Sequence, residues 1–486
     1  QRFYLYLNMT KPGEKLILSY SDTNAKGEGI SPAYLIGSIR SLYPKLEIEN
    51  SYCYPENPEA GIDLFLEKLV QETEKEHEDI LEQADETDAV FGELYSWYLR
   101  NPEYRSRVQK LVQSAFAGKP EDIISQSVAK ALYGEVSPYS ATRLERFAAC
   151  AFAHFLQYGM KLTERVEYEF KPMDMGNVMH EALESFAEEV RKRGMKWTEL
   201  TEQERNEIAD RCLDNIVADY GNTVLKSSAR NEYMIERTRR ILRRTVWALQ
   251  KQLEQGEFQP EGFEVTFGGG RIDRVDIMED QNKVYVKVID YKTGNTSFDL
   301  VYLYHGLQLQ LMIYLDGALR VEQKKYPDKE IIPAGVFYYN IKDPMIREKI
   351  DADVEAVSAG LMKELKMNGL AQADPELVYR MDSSLGSIPV AFNKDGSFRK
   401  NSSVADRTQF AVLGRYVRTK IEKIRSSILE GDAEVSPYEL GKKNACTYCP
   451  YMTVCGFDRR LSGYEFRRLK NFSDEELWKA FDREAE

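Results

Sequence analysis

The sequence lacks features that mark several large classes of protein. No run of eighteen apolar residues occurs in its 486 residues, so no membrane-spanning helix is predicted and we expect no membrane partner. Positive charge is in deficit, with 66 lysines and arginines against 79 acids and a net charge of −13. Nucleic-acid-binding domains are usually basic, but net charge is an average, and a local basic surface can still bind phosphates.

Cysteine is also scarce and unevenly placed. The six cysteines are Cys53, Cys150, Cys212, Cys446, Cys449 and Cys455. Three of them fall within ten residues, which is not how a secreted disulfide scaffold distributes cysteines over so long a chain. We therefore predict a reducing, cytoplasmic location and a metal centre.

The C-terminal trio, spaced Cys446-x-x-Cys449-x5-Cys455, supplies three thiolates close together. A tetrahedral site with four sulfur ligands needs one more. Cys150 is the natural candidate, and it would join the two ends of one domain. Spacing alone leaves Zn²⁺ and an iron–sulfur cluster equally possible. The other two cysteines are interpreted as ordinary residues.

The strongest chemical signal lies in residues 270–294. Apolar residues alternate on both sides of four turn-forming residues, which predicts an antiparallel hairpin with one buried face. Asp290 and Lys292 are two residues apart, so their side chains point to the same side of the sheet. Asp273 or Asp276 on the neighbouring strand can reach that side. Two carboxylates beside a lysine can hold Mg²⁺ or Mn²⁺ and position a water for phosphodiester hydrolysis.

Two of the helices predicted before this hairpin carry candidate ligands. The first begins at Ser140, a plausible N-cap, and reaches Cys150. The second opens at Gly176 and carries His180. A histidine among apolar neighbours is more often structural than a ligand. A neutral imidazole could nevertheless complete the metal shell if this helix packs across the hairpin.

A helix and a strand are predicted after the hairpin. Residues 300–320 have helical periodicity, and Gln310 and Tyr314 are four residues apart on one face of that helix. Residues 332–340 are predicted to be another buried strand. The order of helix, hairpin, helix and strand predicts an α/β core with a small mixed sheet.

One helix, around residues 237–252, carries the densest basic cluster. Arg237, Arg240 and Arg244 share a face of it. They are the best candidates for contacts with phosphates. A surface helix whose arginines pair with the many acids of the chain is an equally good interpretation.

The first 138 residues contain few candidate functional residues. Residues 1–50 predict an aromatic-rich helix, then a turn at Lys11, then a strand at residues 16–19. This order resembles the last motif of superfamily 1 helicases, with lysine in place of the arginine that touches the nucleotide, so we expect no ATPase activity. An ordinary helix–turn–strand is the alternative. Residues 51–138 are predicted to be a helical connector. Because the chain opens on Gln1 rather than methionine, we expect a fragment of a longer protein.

The ordered motifs of residues 140–460 resemble those of AddB subunits of bacterial AddAB helicase–nucleases. The resemblance is to the C-terminal RecB-family nuclease domain of those subunits. The motifs are Gly176-x-x-x-His180-x-x-Leu183-Glu184, Gly270-x-Ile272-Asp273, Asp290-Tyr291-Lys292 and Gln310-x-x-x-Tyr314, flanked by Cys150 and Cys446-x-x-Cys449-x5-Cys455. The acid-x-Lys element alone is weak, because Glu322-Gln323-Lys324 repeats it on a helix. The ordered set is specific.

This resemblance implies a PD-(D/E)xK, restriction-endonuclease-like core over residues 139–486, with helical additions and a four-cysteine iron–sulfur clasp. It implies that Mg²⁺ or Mn²⁺ is bound by His180, Asp273 and Asp290, helped by the Tyr291 carbonyl. Lys292 would orient or activate the attacking water. Gln310 and Tyr314 would steady the substrate or the lysine. A structural 4Fe–4S cluster would be held by Cys150, Cys446, Cys449 and Cys455.

The implied function is that of a metal-dependent DNA exonuclease. It would cut the 5′-ended strand during double-strand-break processing for recombinational repair, in complex with an AddA-type helicase/nuclease subunit. The competing hypothesis is a non-catalytic scaffold that binds DNA or a partner through a structural metal clasp. The scaffold leaves His180, Asp273, Asp290 and Lys292 unexplained as a set. A metal-dependent nuclease of another pathway fits those residues but explains the helicase-like start poorly.

Overall fold

The structure is a computed structural model of the chain. It describes residues 2–21, 29–46, 48, 61–75, 89–115, 123–134, 140–163, 172–219, 228–268, 270–346, 353–460 and 463–485. Contacts within the chain divide it into two compact units, Gln1–Phe116 and Ala117–Glu486. No described helix combines the length and the apolar character needed to cross a bilayer.

The regular secondary structure described in the first unit is helical. Its helices are α1 (Arg2–Thr10), α2 (Tyr34–Leu42), α3 (Ile62–Lys75), α4 (Ala89–Arg100) and α5 (Pro102–Ala115). Aromatic side chains join α3 to α4, since the Phe65 ring stacks on Phe91 at 5.4 Å and meets Tyr98 edge-on at 5.3 Å. Val108 of α5 is buried in the same cluster. Each of these three helices thus buries one apolar face, as its periodicity predicts.

The helix predicted at the start of the chain is confirmed as α1, but the strand predicted at residues 16–19 is wrong. That segment has no regular structure, and Ile17 is 74% exposed. A strand is stabilised by hydrogen bonds to a neighbouring strand, and no described residue forms such a ladder with this segment. The helicase-like interpretation of residues 1–50 and the connector at 51–138 remain predictions. Cys53 lies outside the described residues.

The second unit is organised around a mixed sheet. Its strands are β1 (Gln259–Phe267), β2 (Gly270–Asp280), β3 (Lys283–Lys292), β4 (Glu330–Asn340), β5 (Asn368–Gln372) and β6 (Val404–Ala405), in that order across the sheet. β3 is parallel to β4 and β5 to β6, whereas the other neighbours are antiparallel. The predicted α/β core with a small mixed sheet is confirmed.

Helices precede, separate and follow these strands. The first group is α6 (Gln126–Tyr133), α7 (Ala141–Ala149), α8 (Ala151–His154), a π-helix (Phe155–Gly159), α9 (Pro172–Lys192), a 3₁₀ turn (Trp197–Glu199), α10 (Glu202–Asp219) and α11 (Ala229–Glu254). The second group is α12 (Leu300–Tyr304), α13 (Gln310–Lys325), α14 (Val354–Glu364), α15 (Pro375–Met381), α16 (Arg407–Glu430), α17 (Met452–Cys455) and α18 (Asp474–Ala485). A small second sheet comprises β7 (Tyr438–Leu440), β8 (Lys443–Asn444) and β9 (Arg467–Arg468).

The large sheet lies between two hydrophobic cores, because residues along a strand alternate between its faces. Val286 and Val288 of β3 pack with α13 and α16 in one core. Ile289 and Tyr291 of the same strand pack with α9, α10 and α11 in the other. The hairpin predicted at residues 270–294 is confirmed as β2 and β3, but the prediction of a single buried face is wrong, since helices cover both.

The single helix predicted over residues 300–320 is also wrong, because the structure contains two helices there. α12 ends at Tyr304, and the chain then turns through Gly306, whose φ is +78°. A residue with positive φ cannot continue a right-handed helix. A separate helix, α13, therefore begins at Gln310, and its first turn faces α7.

The last turn of α16 ends at Glu430, and Gly431 is its C-cap. Gly431 has a left-handed φ of +94°, and its N–H donates to the Ile428 carbonyl. The Ile124 N–H donates to the Gly431 carbonyl at 3.0 Å. A Cβ at position 431 would lie only 2.0 Å from the Ile124 carbonyl oxygen. Both the backbone conformation and the close approach therefore require glycine here.

Replacing Gly431 with alanine should destabilise the second unit by about 2–4 kcal/mol. The left-handed conformation alone costs about 1 kcal/mol, and a clash with backbone cannot be relieved by rotating a side chain. Gly194→Ala is the matched control, because Gly194 follows α9 with φ +65° and has nothing within 4 Å of its Cβ position. Denaturant unfolding measures both variants, and equal losses would contradict the steric part of this prediction.

Candidate active site

The register of β2 and β3 brings two acids together. Because Arg274 pairs with Ile289 in an antiparallel ladder, Asp273 lies opposite Asp290. Both are almost fully buried, with 8% and 1% of their surface exposed. The Tyr291 N–H donates to Asp273 Oδ2 at 2.7 Å and orients that carboxylate. The role predicted for the Tyr291 carbonyl remains a prediction.

α9 adds His180 from one of the two cores. His180 Nδ1 lies 3.4 Å from Asp273 Oδ2 and 3.8 Å from Glu264 Oε1. Ligand atoms of these three residues all lie within 4.8 Å of one another, a set of oxygen and nitrogen donors that suits a divalent cation. Within the part of the chain that the structure describes, this is the one such group of histidine, cysteine or acidic residues.

Glu264 is absent from the predicted ligand set. It lies on β1 between Phe263 and Val265, which pair with Arg274 and Ile272, so it faces Asp273 across the ladder. An acid between two apolar residues of a strand usually indicates a position facing solvent, whereas only 6% of this side chain is exposed. Its φ of +49° is uncommon for glutamate and is the one local feature that departs from an ordinary strand.

Asp290 and Lys292 form the second part of the site. Lys292 Nζ lies 2.6 Å from Asp290 Oδ2 and donates to Gln310 Oε1 at 2.8 Å. Gln310 Nε2 in turn donates to the Tyr314 hydroxyl at 2.9 Å. The four residues predicted as catalytic therefore form one continuous chain of polar contacts. Asp290, also predicted as a ligand, pairs with the lysine and is not part of the group that converges within 4.8 Å.

Burial and like charge make this site favourable for cations. Burial, followed by the charge of Asp290, raises the pKa of Asp273 to about 7. Burial also raises the pKa of Asp290, although Lys292 opposes the shift. Burial lowers the pKa of His180, but its hydrogen bond with Glu264 and the nearby carboxylates outweigh burial, and the net shift is upward. A divalent cation would displace these protons and neutralise the carboxylates.

Asp276, the alternative to Asp273 as a ligand, has different partners. Arg274 donates to its two oxygens at 2.6 and 2.9 Å, and Lys287 Nζ lies 2.9 Å from Oδ2. All three side chains are buried, and the Arg274 guanidinium lies over the Trp197 and Phe263 rings. Asp276 therefore neutralises two buried cations, and the structure favours Asp273 as the ligand.

α7 contributes a carboxylate that no predicted motif contains. Glu145 Oε1 accepts from the backbone N–H groups of Leu309 at 2.7 Å and Gln310 at 3.0 Å. Burial raises the pKa of Glu145 to about 7, although these two N–H groups and Lys292 oppose the shift. The predicted Ser140 cap of α7 is confirmed, but no local pattern indicates which distant element the helix will face.

The arginines predicted to bind DNA lie on α11. Arg240 Nε lies 2.6 Å from Asp343 Oδ2, and Arg244 Nε lies 4.0 Å from Asp343 Oδ1. Arg237 is exposed. Two of the three arginines thus pair with an acid of the chain, as the competing interpretation expects, and a role in DNA binding remains a prediction.

The four cysteines predicted as ligands share one small cavity. Its lining includes Cys150, Cys446, Cys449 and Cys455 together with apolar side chains such as Phe152 and Tyr451. Backbone N–H groups of Ala153, Ser436 and Phe152 face the Cys150 sulfur and oppose the rise in its thiol pKa that burial causes. Burial and the charges of the other three cysteines raise the pKa of Cys446 to about 12. The cavity thus brings the four predicted ligands into one region, and their binding of a metal remains a prediction. Cys212 is buried in the core against α9, as expected of an ordinary cysteine.

Comparison with known proteins identifies the class to which this site belongs. A family model described as the PD-(D/E)XK nuclease superfamily matches residues 138–456. That range includes the whole six-stranded sheet, the cluster of His180, Glu264 and Asp273, and the pair Asp290 and Lys292. The chain belongs to this superfamily of nucleases, whose members generally use a divalent metal ion.

Particular relatives narrow the class further. Proteins named as the B subunit of an ATP-dependent helicase/deoxyribonuclease are 40% identical in Lachnoclostridium phytofermentans, 32% in Clostridium acetobutylicum and 31% in Alkaliphilus metalliredigens, in each case over 100% of this chain. The chain spans 43–44% of the length of these relatives. The predicted resemblance to AddB-type proteins is confirmed.

Replacing Asp273 with asparagine should stabilise the metal-free second unit. The pKa of Asp273 is raised from its ordinary value of 3.8 to about 7, so stability is lost as the pH rises through this interval, and the full cost is present at pH 8. We expect the Tm in EDTA at pH 8 to rise by about 2 °C or more. Mn²⁺ should raise the Tm of the parent protein and leave that of the variant unchanged.

Asp276→Asn is the matched control for this measurement and should change the Tm in the opposite direction. It leaves Arg274 and Lys287 buried without their carboxylate, a loss that costs about 3–5 kcal/mol for a buried pair. A fall in Tm for Asp273→Asn in EDTA at pH 8 would contradict the assignment of Asp273 as a destabilising, cation-seeking carboxylate.

Proposed function

We propose that the chain is a metal-dependent deoxyribonuclease domain that hydrolyses DNA phosphodiester bonds with Mg²⁺ or Mn²⁺. The observation that carries this proposal is the convergence of His180, Glu264 and Asp273 beside the pair of Asp290 and Lys292. Two carboxylates and one imidazole suit these cations. Membership of the nuclease superfamily supports the type of reaction.

The side chains of the site have distinct tasks in this mechanism. When bound, the divalent ion would neutralise charge on the phosphate oxygens and lower the pKa of a water. Lys292, held between Asp290 and Gln310, donates hydrogen bonds to the attacking water or to the phosphate as its charge builds. Tyr314 accepts from the Gln310 amide nitrogen, which leaves the amide oxygen directed at the lysine.

The relatives support a larger assignment, which is also part of our proposal. Similarity to proteins named as the B subunit of a helicase/deoxyribonuclease favours an exonuclease that acts with an AddA-type helicase/nuclease partner in the cytoplasm. Its substrate would be the 5′-ended strand at double-strand breaks that are processed for recombinational repair. Arg237, Arg240 and Arg244 of α11 would contact the DNA backbone, with the exposed Arg237 the most accessible of the three.

The cysteine cavity is proposed to hold a structural 4Fe–4S cluster. The four cysteines line one cavity, and four cysteine thiolates are the usual ligands of such a cluster. The same four ligands would also suit Zn²⁺, so metal analysis must separate the two. The cluster would tie α7 and α8 to the C-terminal segment.

Lys292→Ala should lower kcat for single-stranded DNA with Mg²⁺ by about 10²–10⁴-fold, because the lysine acts on the reacting groups. The release of acid-soluble nucleotides measures cleavage, on the chain alone and with an AddA-type partner. Lys324→Ala is the matched control, since Glu322-Gln323-Lys324 has the same spacing but lies on α13, where the Lys324 side chain is exposed. A Lys292→Ala variant that cuts at the parent rate would contradict the role of Lys292. A parent protein that cuts under neither condition would favour the non-catalytic scaffold.

Cys150→Ser should abolish iron and sulfide binding, whereas Cys212→Ser, which alters a buried cysteine away from the cavity, should not. Metal analysis and visible absorption spectra of anaerobically purified protein measure both effects. Near-stoichiometric iron and sulfide in the parent protein, lost only in the first variant, is the expected outcome. Zinc without iron would contradict the assignment of a cluster.

A further inference from the structure

The first turn of α13 is not capped by the side chain at its own N-cap position. The N–H groups at the start of a helix have no partner within the helix, and a side chain at the N-cap position usually accepts from them. The N-cap of α13 is Leu309, which has no oxygen or nitrogen in its side chain and makes no such bond. An acceptor for these donors must come from elsewhere in the fold.

Glu145 of α7 is that acceptor. A single carboxylate oxygen receives the Leu309 N–H at 2.7 Å and the Gln310 N–H at 3.0 Å. A negative charge at a helix N-terminus is also favoured by the helix dipole. The residue keeps partial solvent exposure, but its carboxylate is enclosed by protein, where hydrogen bonds to charged groups are stronger than at the surface.

The second of these donors belongs to a residue that contacts the catalytic lysine. The Gln310 side chain accepts from Lys292 Nζ and donates to Tyr314. The Gln310 backbone is therefore held by Glu145 while its amide holds Lys292. Because Gly306 ends the preceding helical segment with a positive φ, the position of this first turn depends on a tertiary contact.

We propose that Glu145 is a positioning residue for the nuclease reaction: by capping α13 from a separate helix, it sets the position of Gln310 and through it that of Lys292. It acts without touching the DNA or the ion. The kinetic part of this inference rests on the proposed nuclease function, whereas the structural part does not.

Amide hydrogen exchange tests the structural part without any need for activity. In the parent protein the Leu309 and Gln310 N–H groups should be protected, because Glu145 accepts from both. Glu145→Ala should speed their exchange by about tenfold or more, whereas Glu145→Gln keeps an oxygen acceptor and should retain most of the protection. Unchanged exchange in Glu145→Ala would overturn the proposal.

Kinetics then separate positioning from general stability. Glu145→Ala should lower kcat by about 10–100-fold with little change in KM, since a misplaced catalytic group can cost about 10²-fold. Glu145→Gln should recover activity to within about fivefold of the parent. Asp374→Ala is the matched control, because Asp374 caps α15 by accepting from the Glu376 and Leu377 N–H groups. It should lower stability with kcat unchanged.

A double-mutant cycle tests whether the effect of Glu145 on kcat passes through Gln310. If Glu145 acts through Gln310, the double variant Glu145→Ala/Gln310→Ala should have the same kcat as the single variant Gln310→Ala. Additive losses would overturn the route through Gln310. If Asp374→Ala lowers kcat as much as Glu145→Ala does, the loss of activity is explained by lower stability alone. That result would overturn the proposal. A parent protein that fails to cut DNA while exchange responds as expected would overturn the proposed function and leave the cap supported.

Discussion

The site depends on the register of one antiparallel hairpin, β2 and β3. Register fixes which residues face each other across a ladder, and a slip by one residue would send every side chain to the opposite face. In the observed register Asp273 lies opposite Asp290. The two cores hold this register from both sides, because the valines of β3 pack in one core and Ile289 and Tyr291 in the other, and a slip would exchange them.

The same hairpin places two acids, three residues apart, in opposite electrostatic environments. Asp276 lies between Arg274 and Lys287, so its charge stabilises the fold. Asp273 lies between Asp290, Glu264 and His180, so its negative charge destabilises the fold unless a cation is bound. Such a trade of stability for a binding site is common where function requires like charges to be brought together. The buried Asp276 network supplies stability within the same strands.

Each half of the site comes from a different layer of the fold. α9 brings His180 from one core, and α13 brings Gln310 and Tyr314 from the other. α7 then links two features that are far apart in the chain, since Glu145 caps α13 and Cys150 ends the same helix at the cysteine cavity. The helices therefore do more than cover the sheet, because their packing determines the geometry of the chemical groups.

The sequence by itself determined the features that depend on short-range periodicity. The spacing of two in Asp290-x-Lys292 and of four in Gln310-x-x-x-Tyr314 places each pair on one face of a strand or helix, and the structure has both pairs in contact. Asp273 and Asp276 are both acids on one strand, so alternation alone left both open, and it was the resemblance in Gly270-x-Ile272-Asp273 that favoured Asp273. No local pattern indicated Glu264 or Glu145. Only the tertiary structure decided these, because whether a carboxylate meets an arginine, a histidine or the start of a helix depends on packing between distant segments.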